Sequence, residues 1–453
     1  MRNIFPKSIA ISVSLVGIAV FAFVLPSQGA SVKSRGPLLN EPEREEAFMD
    51  WGLGMFVHWS HDSQLGSVIS HSMVGASEKY LRRYIEDLPR TFNPEDYDPD
   101  EWMEIAKLAG VKYMVLTTKH HNGFCMWDTD TTDFGIMNTP YGKDIVKDYV
   151  DACRRHGMKV GFYFSPEDFI FLHRMGETVR RVGTSGREKE ALLDYNKRQL
   201  DELFGSYGPI DVIFFDGGEM EALTQYIHEK QPDCIVTRGE METPEQKLPT
   251  EPLPGPWESC FTLGTQWQFK PTNEDYKSGT QLINMLIETR AKGGNLLLNV
   301  GPEPSGKIPF EQERAFRELA LWMFVNDEAI HVVRPCPVTG EEGIWYTQSK
   351  DGKSVYAFIS KFSGPEDRWE YGQRKKILLK RLKATPETKI SVLGQNDRVL
   401  EYREEVDPQS RFKQTPRGLE ISVMRAQRIY NNKRWPNTVV VKLENVEFAA
   451  AGN

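Results

Sequence analysis

The chain has few cysteines and no two of them placed to work together. The five, at positions 125, 153, 234, 260 and 336, form no CxxC pair, and an odd number cannot pair completely within one chain. Zinc-ribbon and thioredoxin-like readings are excluded. A basic excess is also missing: 56 Lys and Arg stand against 64 Asp and Glu, a formal charge of −8. Nothing therefore draws the chain toward nucleic acid or anionic lipid. No apolar run beyond residue 25 approaches bilayer-spanning length. Nor is there an internal repeat, a low-complexity linker, or a GxGxxG turn after the first candidate strand.

What remains is a globular composition, 40% hydrophobic and 26% charged over 453 residues, long enough for a large α/β barrel with an appendage. Basic Arg2 and Lys7, the apolar run Ile9 to Leu25 and the small residues around Ser27, Gly29 and Ala30 have the layout of a secretory signal peptide over residues 1–30. The mature protein is then secreted or periplasmic and free of the membrane. A retained anchor is the alternative, since that run reaches the lower end of spanning length.

From residue 50 to about 330, within a catalytic domain expected over residues 31–335, short apolar runs alternate with amphipathic ones. Strands are expected at Gly54 to His58, Tyr113 to Thr118, Lys159 to Phe164, Asp211 to Phe215, Cys234 to Thr237 and Asn295 to Asn299. Helices are expected at Pro99 to Leu108, Asp144 to His156, Lys189 to Phe204, Gln281 to Lys292 and Phe310 to Asn326. This α/β pattern predicts a (β/α)8, TIM-like barrel, with a doubly wound open sheet as the competing topology. The polar residues that end the strand runs favour the barrel, whose reacting groups sit at the C-terminal ends of its strands. Residues 336–453 change to short β runs separated by turns, which predicts a small C-terminal antiparallel β-sandwich.

Asp216 ends the run Val212 to Phe215 and is followed by Gly217 and Gly218, so a carboxylate is fixed by a sheet yet open to a ligand, as a nucleophile or base requires. An Asp after a strand also serves as a helix cap. His58 and Trp59 end the first strand. His120 and His121 follow the second, where strand alternation would turn adjacent rings to opposite faces and speaks against a shared metal. Imidazoles and an aromatic face suit a sugar. Glycoside hydrolysis needs a second carboxyl group, and Glu240, Glu242, Glu245, Glu251 and Glu258 are all available in the following stretch.

The stretch from Phe92 to Ser165, with KHHNGF at 119–124, closely resembles the α-L-fucosidases of glycoside hydrolase family 29. So do GLGMFVHW at 52–59, FFDGG at 214–218, TPEQ at 243–246, PWESC at 256–260 and GGNLLLNVGPEPSGKIP at 293–309. The resemblance implies a retaining exo-α-L-fucosidase acting on fucosylated oligosaccharides or polysaccharides, with Asp216 as nucleophile and Glu245 as acid/base, Glu258 being the reserve. It implies hydrogen-bond donation to sugar hydroxyls by His58, His120 and His121, contacts from Tyr163, Arg238 and Trp59, and no metal or other cofactor.

The chain departs from the family pattern in one important loop. Where members commonly carry a Glu-Trp pair after the first strand, this chain has Ser70, His71 and Ser72, with Glu78 further on. His71 is expected to supply the missing hydrogen bonds, or the subsite prefers another fucose-configured sugar such as an α-L-galactoside; an incidental surface His is the plainer alternative. Asn122 also stands where Asp is usual. An inactive carbohydrate-binding protein is the reading from another class, and a metal-dependent hydrolase using the three histidines is the remaining enzyme class.

Overall fold

A computed structural model describes residues 39–181, 187–360, 369–429 and 434–449. The candidate signal peptide lies outside these residues. Seven parallel strands form one curled sheet: β1 (Leu53–Val57), β2 (Tyr113–Lys119), β3 (Lys159–Phe164), β4 (Val212–Phe215), β5 (Ile235–Val236), β6 (Glu258–Thr262) and β7 (Asn295–Val300). Their order is β5-β4-β3-β2-β1-β7-β6. Gly54 of β1 faces Tyr113 of β2 on one side and Leu297 of β7 on the other.

The expected eight-stranded barrel is completed irregularly. Between β5 and β6 the segment 241–246 bridges to Arg238 on one side and to Trp257 and Cys260 on the other, without forming a strand. Pro244, Pro249, Pro252, Pro254 and Pro256 explain this, because proline has no N–H to give a ladder. Strand β6, Glu-Ser-Cys-Phe-Thr, is not anticipated by its sequence, which lacks an apolar run; pairing with β7 makes it a strand.

Alternation along each strand divides two cores. Phe56, Tyr113, Val115, Tyr163, Val212, Phe214, Cys260 and Leu297 pack inside the barrel. Met55, Val57, Met114, Leu116, Phe162, Phe164, Ile213 and Phe215 face outward into the main core with the helices. Gly54 is required by this interior, since a Cβ there would lie 2.4 Å from the Tyr113 ring. The helix Pro42–Trp51 closes the barrel floor, its Phe48 and Trp51 rings 5.6 and 5.5 Å from Tyr113.

The crossover helices include Pro99–Leu108, Ile145–His156, Arg187–Ser206, Met220–Lys230, Gly279–Ala291 and Phe310–Asn326. The first begins at Asp98, whose carboxylate accepts the N–H groups of Asp100 and Glu101, with Pro99 at the first helical position. No helix among the described residues is long and apolar enough to cross a membrane.

After residue 332 the chain becomes antiparallel. A five-stranded sheet runs in the order Leu382–Val392, Val439–Phe448, Ser354–Ile359, Ile344–Ser349, Val333–Glu341. A three-stranded sheet follows the order Arg374–Leu379, Gly418–Met424, Arg411–Thr415, and Trp369–Glu370 pairs with Arg434–Trp435. The Trp322 indole donates to the Thr438 carbonyl at 2.8 Å, tying the last barrel helix to these sheets. All five cysteines are buried and unpaired.

Candidate active site

The inward alternation Val212, Phe214 continues to Asp216, so the carboxylate emerges at the C-terminal mouth of the barrel. Gly217 has φ +141°, and a Cβ there would press on the Glu167 side chain at 2.9 Å, so glycine lets the chain turn away beside the carboxylate. The carboxylate lies in a small cleft of about 80 Å³ at this mouth. His58, His71, His120, Tyr163, Arg181, Phe214, Arg238, Glu245, Cys260 and Trp267 share that lining. A larger cleft of about 500 Å³ runs beside helix Pro99–Leu108, but surface charges such as Glu104, Glu313 and Arg317 line it rather than converging strand ends.

Asp216 is held on both oxygens. Tyr163 donates its hydroxyl to Oδ2 at 2.8 Å, and Arg238 Nη1 lies 3.3 Å from Oδ1. His121 Nε2 is 3.5 Å from Oδ2 and Arg181 Nη2 is 3.8 Å from Oδ1. Burial alone would raise the carboxyl pKa; the Arg238 guanidinium, assisted by the Tyr163 hydroxyl and Arg181, reverses this and holds it below the usual carboxylate range. Arg238 reaches a second carboxylate too, its Nη2 donating to Glu245 Oε2 at 3.0 Å. Its guanidinium packs 4.5 Å from the Phe214 ring, and Nε donates to Thr243. Two carboxylates thus share one cation across one cavity.

The partners of His58 and His121 fix the ring nitrogen that carries the proton. Asn299 donates its Nδ2 to the Trp267 carbonyl at 2.6 Å, so its Oδ1 faces His58 Nδ1, also at 2.6 Å, as an acceptor. His58 therefore carries its proton on Nδ1, and burial keeps it neutral with a pKa of about 4. Its Nε2 is an acceptor, which corrects the expectation that His58 donates. His121 likewise gives Nδ1–H to Ser165, whose hydroxyl is donated to the Glu167 carbonyl, so the expectation that His121 donates to the sugar is corrected as well: its ring is fully buried beside Asp216 and does not line the cleft. His120 stacks on Tyr163 with ring centroids 5.2 Å apart, its Nδ1 2.7 Å from the Ser70 hydroxyl.

Strand alternation would have separated His120 from His121, yet both approach Asp216. Strand β2 stops at Lys119 and the chain turns at once, so the alternation no longer applies. Ligand atoms of His120, His121 and Asp216 lie within 4.8 Å of one another. Their surroundings do not suit a cation: Arg238, 3.3 Å away, and Arg181, 3.8 Å away, already stand beside the carboxylate that would have to bind it.

Trp59 is placed elsewhere. The alternation that turns His58 inward turns Trp59 outward, where it packs against Phe92, Tyr97 and Trp102 and donates Nε1 to the Glu303 carbonyl. Glu258 is also separated from the cleft. As the first residue of a parallel strand it points into the barrel floor, accepting the Tyr113 hydroxyl, and burial pushes its pKa up to about 7. Two residues further along the same face, Cys260 lines the cleft. Glu78 is exposed and faces His173, whereas half-buried His71 lines the cleft beside His120 and His121.

The sequence reading missed Trp267, Arg181 and Cys260. Cys260 and Phe214 follow from strand alternation once the strands are known. Trp267 and Arg181 lie in irregular segments that give no periodic signal.

A family model described as alpha-L-fucosidase matches residues 28–328. The human plasma alpha-L-fucosidase is 27% identical over 359 residues, covering 68% of this chain and 74% of that protein. The solved alpha-L-fucosidase isoenzyme 1 of Paenibacillus thiaminolyticus superposes with a TM-score of 0.71 at 27% identity, covering 90% of this chain and 99% of that one. A Bacteroides thetaiotaomicron alpha-L-fucosidase GH29, trapped as a covalent intermediate with 2-fluoro-fucosyl fluoride, shares the fold with a TM-score of 0.69 at 22% identity over 91% of this chain and 98% of that one.

Proposed function

Because this chain belongs to the α-L-fucosidase family of glycoside hydrolases, we propose that its barrel cleft removes terminal α-L-fucosyl residues from glycans by double displacement, with Asp216 as nucleophile and Glu245 as acid/base. In the first step an Asp216 oxygen attacks the anomeric carbon as the bond to the leaving oxygen breaks, and Glu245 gives its proton to that oxygen. In the second, Glu245 takes a proton from water, water attacks the same carbon, and the Asp216 ester bond breaks. Two inversions give net retention.

The observation that carries this reading is the placement of Asp216 and Glu245 on opposite nitrogens of Arg238 within one cleft. The cation and the Tyr163 hydroxyl keep Asp216 ionised and nucleophilic. Glu245 is partly exposed, as a group that must meet both leaving group and water requires. His58, His120, Tyr163 and Arg238 surround the sugar, with Trp267 as the aromatic wall in place of Trp59 and His71 reaching its rim. Glycans outside the cytoplasm are the substrates, since residues 1–30 read as an export signal; the protein is then secreted or periplasmic.

Hydrolysis of 4-nitrophenyl α-L-fucoside tests the reading. The purified protein is expected to release nitrophenol, and Asp216→Gly to lose several orders of magnitude of turnover and regain part of it with azide. An active Asp216→Gly enzyme without azide would remove Asp216 from the mechanism. An α-L-galactoside measured alongside tests which fucose-configured sugar fits best.

A further inference from the structure

Ser70 has φ +60° and ψ −36°, a backbone conformation that side-chain-bearing residues seldom adopt. Four hydrogen bonds join it into a closed ring. Its N–H donates to Oδ2 of Asp62 at 3.0 Å, and the same oxygen accepts the Tyr84 hydroxyl at 2.5 Å. Tyr84 in turn accepts from Asn122 Nδ2 at 3.0 Å, and the Asn122 N–H donates to Ser70 Oγ, also at 3.0 Å. Asp62, Ser70, Tyr84 and Asn122 are all buried.

Within this ring one donor is left over. The Ser70 hydroxyl hydrogen has a single acceptor in reach among the described residues, His120 Nδ1 at 2.7 Å. If Nδ1 carried the proton instead, it would donate to Oγ, and the hydroxyl hydrogen of this buried serine would be left without an acceptor. Burial also keeps His120 neutral, so it holds only one ring proton.

We infer that Ser70, fixed by Asp62, is a positioning residue that locks His120 with its proton on Nε2 and so makes it an obligatory hydrogen-bond donor to the bound sugar. The inference rests on the reading of the cleft as the sugar site. It gives the cleft complementary polarities: His58, locked the other way by Asn299, accepts, while His120, with its ring centroid 5.9 Å from that of His58, donates. It also explains the backbone of Ser70. Only with the N–H turned to Asp62 does Oγ face both the Asn122 N–H and the imidazole.

The test reads the tautomer directly. Protein carrying 15N-histidine is examined without ligand by long-range proton–nitrogen correlation, with the His120 signals identified by their loss in His120→Asn. The expected result is a bare Nδ1 and a protonated Nε2. Ser70→Gly suits the comparison because glycine adopts φ +60° freely while losing the hydroxyl. In that variant His120 is expected to populate both tautomers, and KM for 4-nitrophenyl α-L-fucoside to rise about tenfold with a much smaller change in kcat, as for one lost hydrogen bond of ordinary strength. A protonated Nδ1 in the unmodified protein would overturn the proposal, as would a Ser70→Gly enzyme with tautomer and KM unchanged. A protein inactive on every fucoside would instead defeat the proposed activity, and the tautomer would still decide the role of Ser70.

Discussion

Tyr163 donates its hydroxyl to Oδ2 of Asp216 across 2.8 Å, from a ring fully buried between His120 and Phe214. The donor is immobile and aimed at the carboxylate expected to attack. Tyr163→Phe should lower kcat/KM by about tenfold to a hundredfold, the usual loss for a hydrogen bond to a charged group. Because the hydroxyl helps hold the Asp216 pKa down, its removal should move the acid limb of the kcat/KM profile to higher pH. A profile unchanged in height and position would show that the bond is incidental.

Glu258 makes a prediction about stability. Its pKa is raised from 4.5 to about 7 by burial, so the folded state binds its proton more tightly than the unfolded one. The resulting cost is absent below about pH 4.5, grows as pH rises to 7 and is constant above that. Glu258→Gln, which can still accept the Tyr113 hydroxyl, should therefore stabilise the protein by roughly 3 kcal/mol above pH 7 and by little near pH 4.5. Denaturant unfolding at the two pH values checks this. The same variant should keep its turnover, since the side chain lies in the barrel floor.

Asn122 sits where the family usually has Asp, and its surroundings explain the difference. Its Nδ2 donates to Tyr84 while Tyr84 donates to Asp62. Asn122→Asp would replace that donor with a second carboxylate against the buried Asp62, and should cost about 2–4 kcal/mol at neutral pH, less under acid conditions. Thermal unfolding at pH 7 and pH 5 measures it.

Chelation should leave turnover unchanged. Every step proposed for the cleft uses protein carboxylates, and the Asp216 carboxylate already faces the guanidinium groups of Arg238 and Arg181. Prolonged dialysis against EDTA followed by assay on the aryl fucoside is the check; a loss restored by a divalent ion would return the metal-dependent reading to contention.

How far the sequence could be read depended on regular periodicity. The position of Asp216 was legible because Val212, Phe214 and Asp216 follow one face of an apolar strand into two glycines. The same alternation, applied strictly, would have turned Trp59 away from the cleft when it turned His58 toward it. It failed for His120 and His121 because β2 ends one residue before them. Choosing between Glu245 and Glu258 required knowing that residues 258–262 are a parallel strand, and that follows only from pairing with β7. Trp267 and Arg181 come from irregular chain, where no local pattern marks a residue that tertiary packing brings to a site.

The central claim is that Asp216 forms the covalent bond to the sugar. The direct measurement is peptide mapping by mass spectrometry after brief exposure of the protein to 2-fluoro-fucosyl fluoride. One added fluorofucosyl group, localised to Asp216 and absent from Asp216→Gly, is the predicted result. A label on Glu245 or any other carboxylate, or steady hydrolysis of ordinary fucosides with no label trapped, would contradict the account.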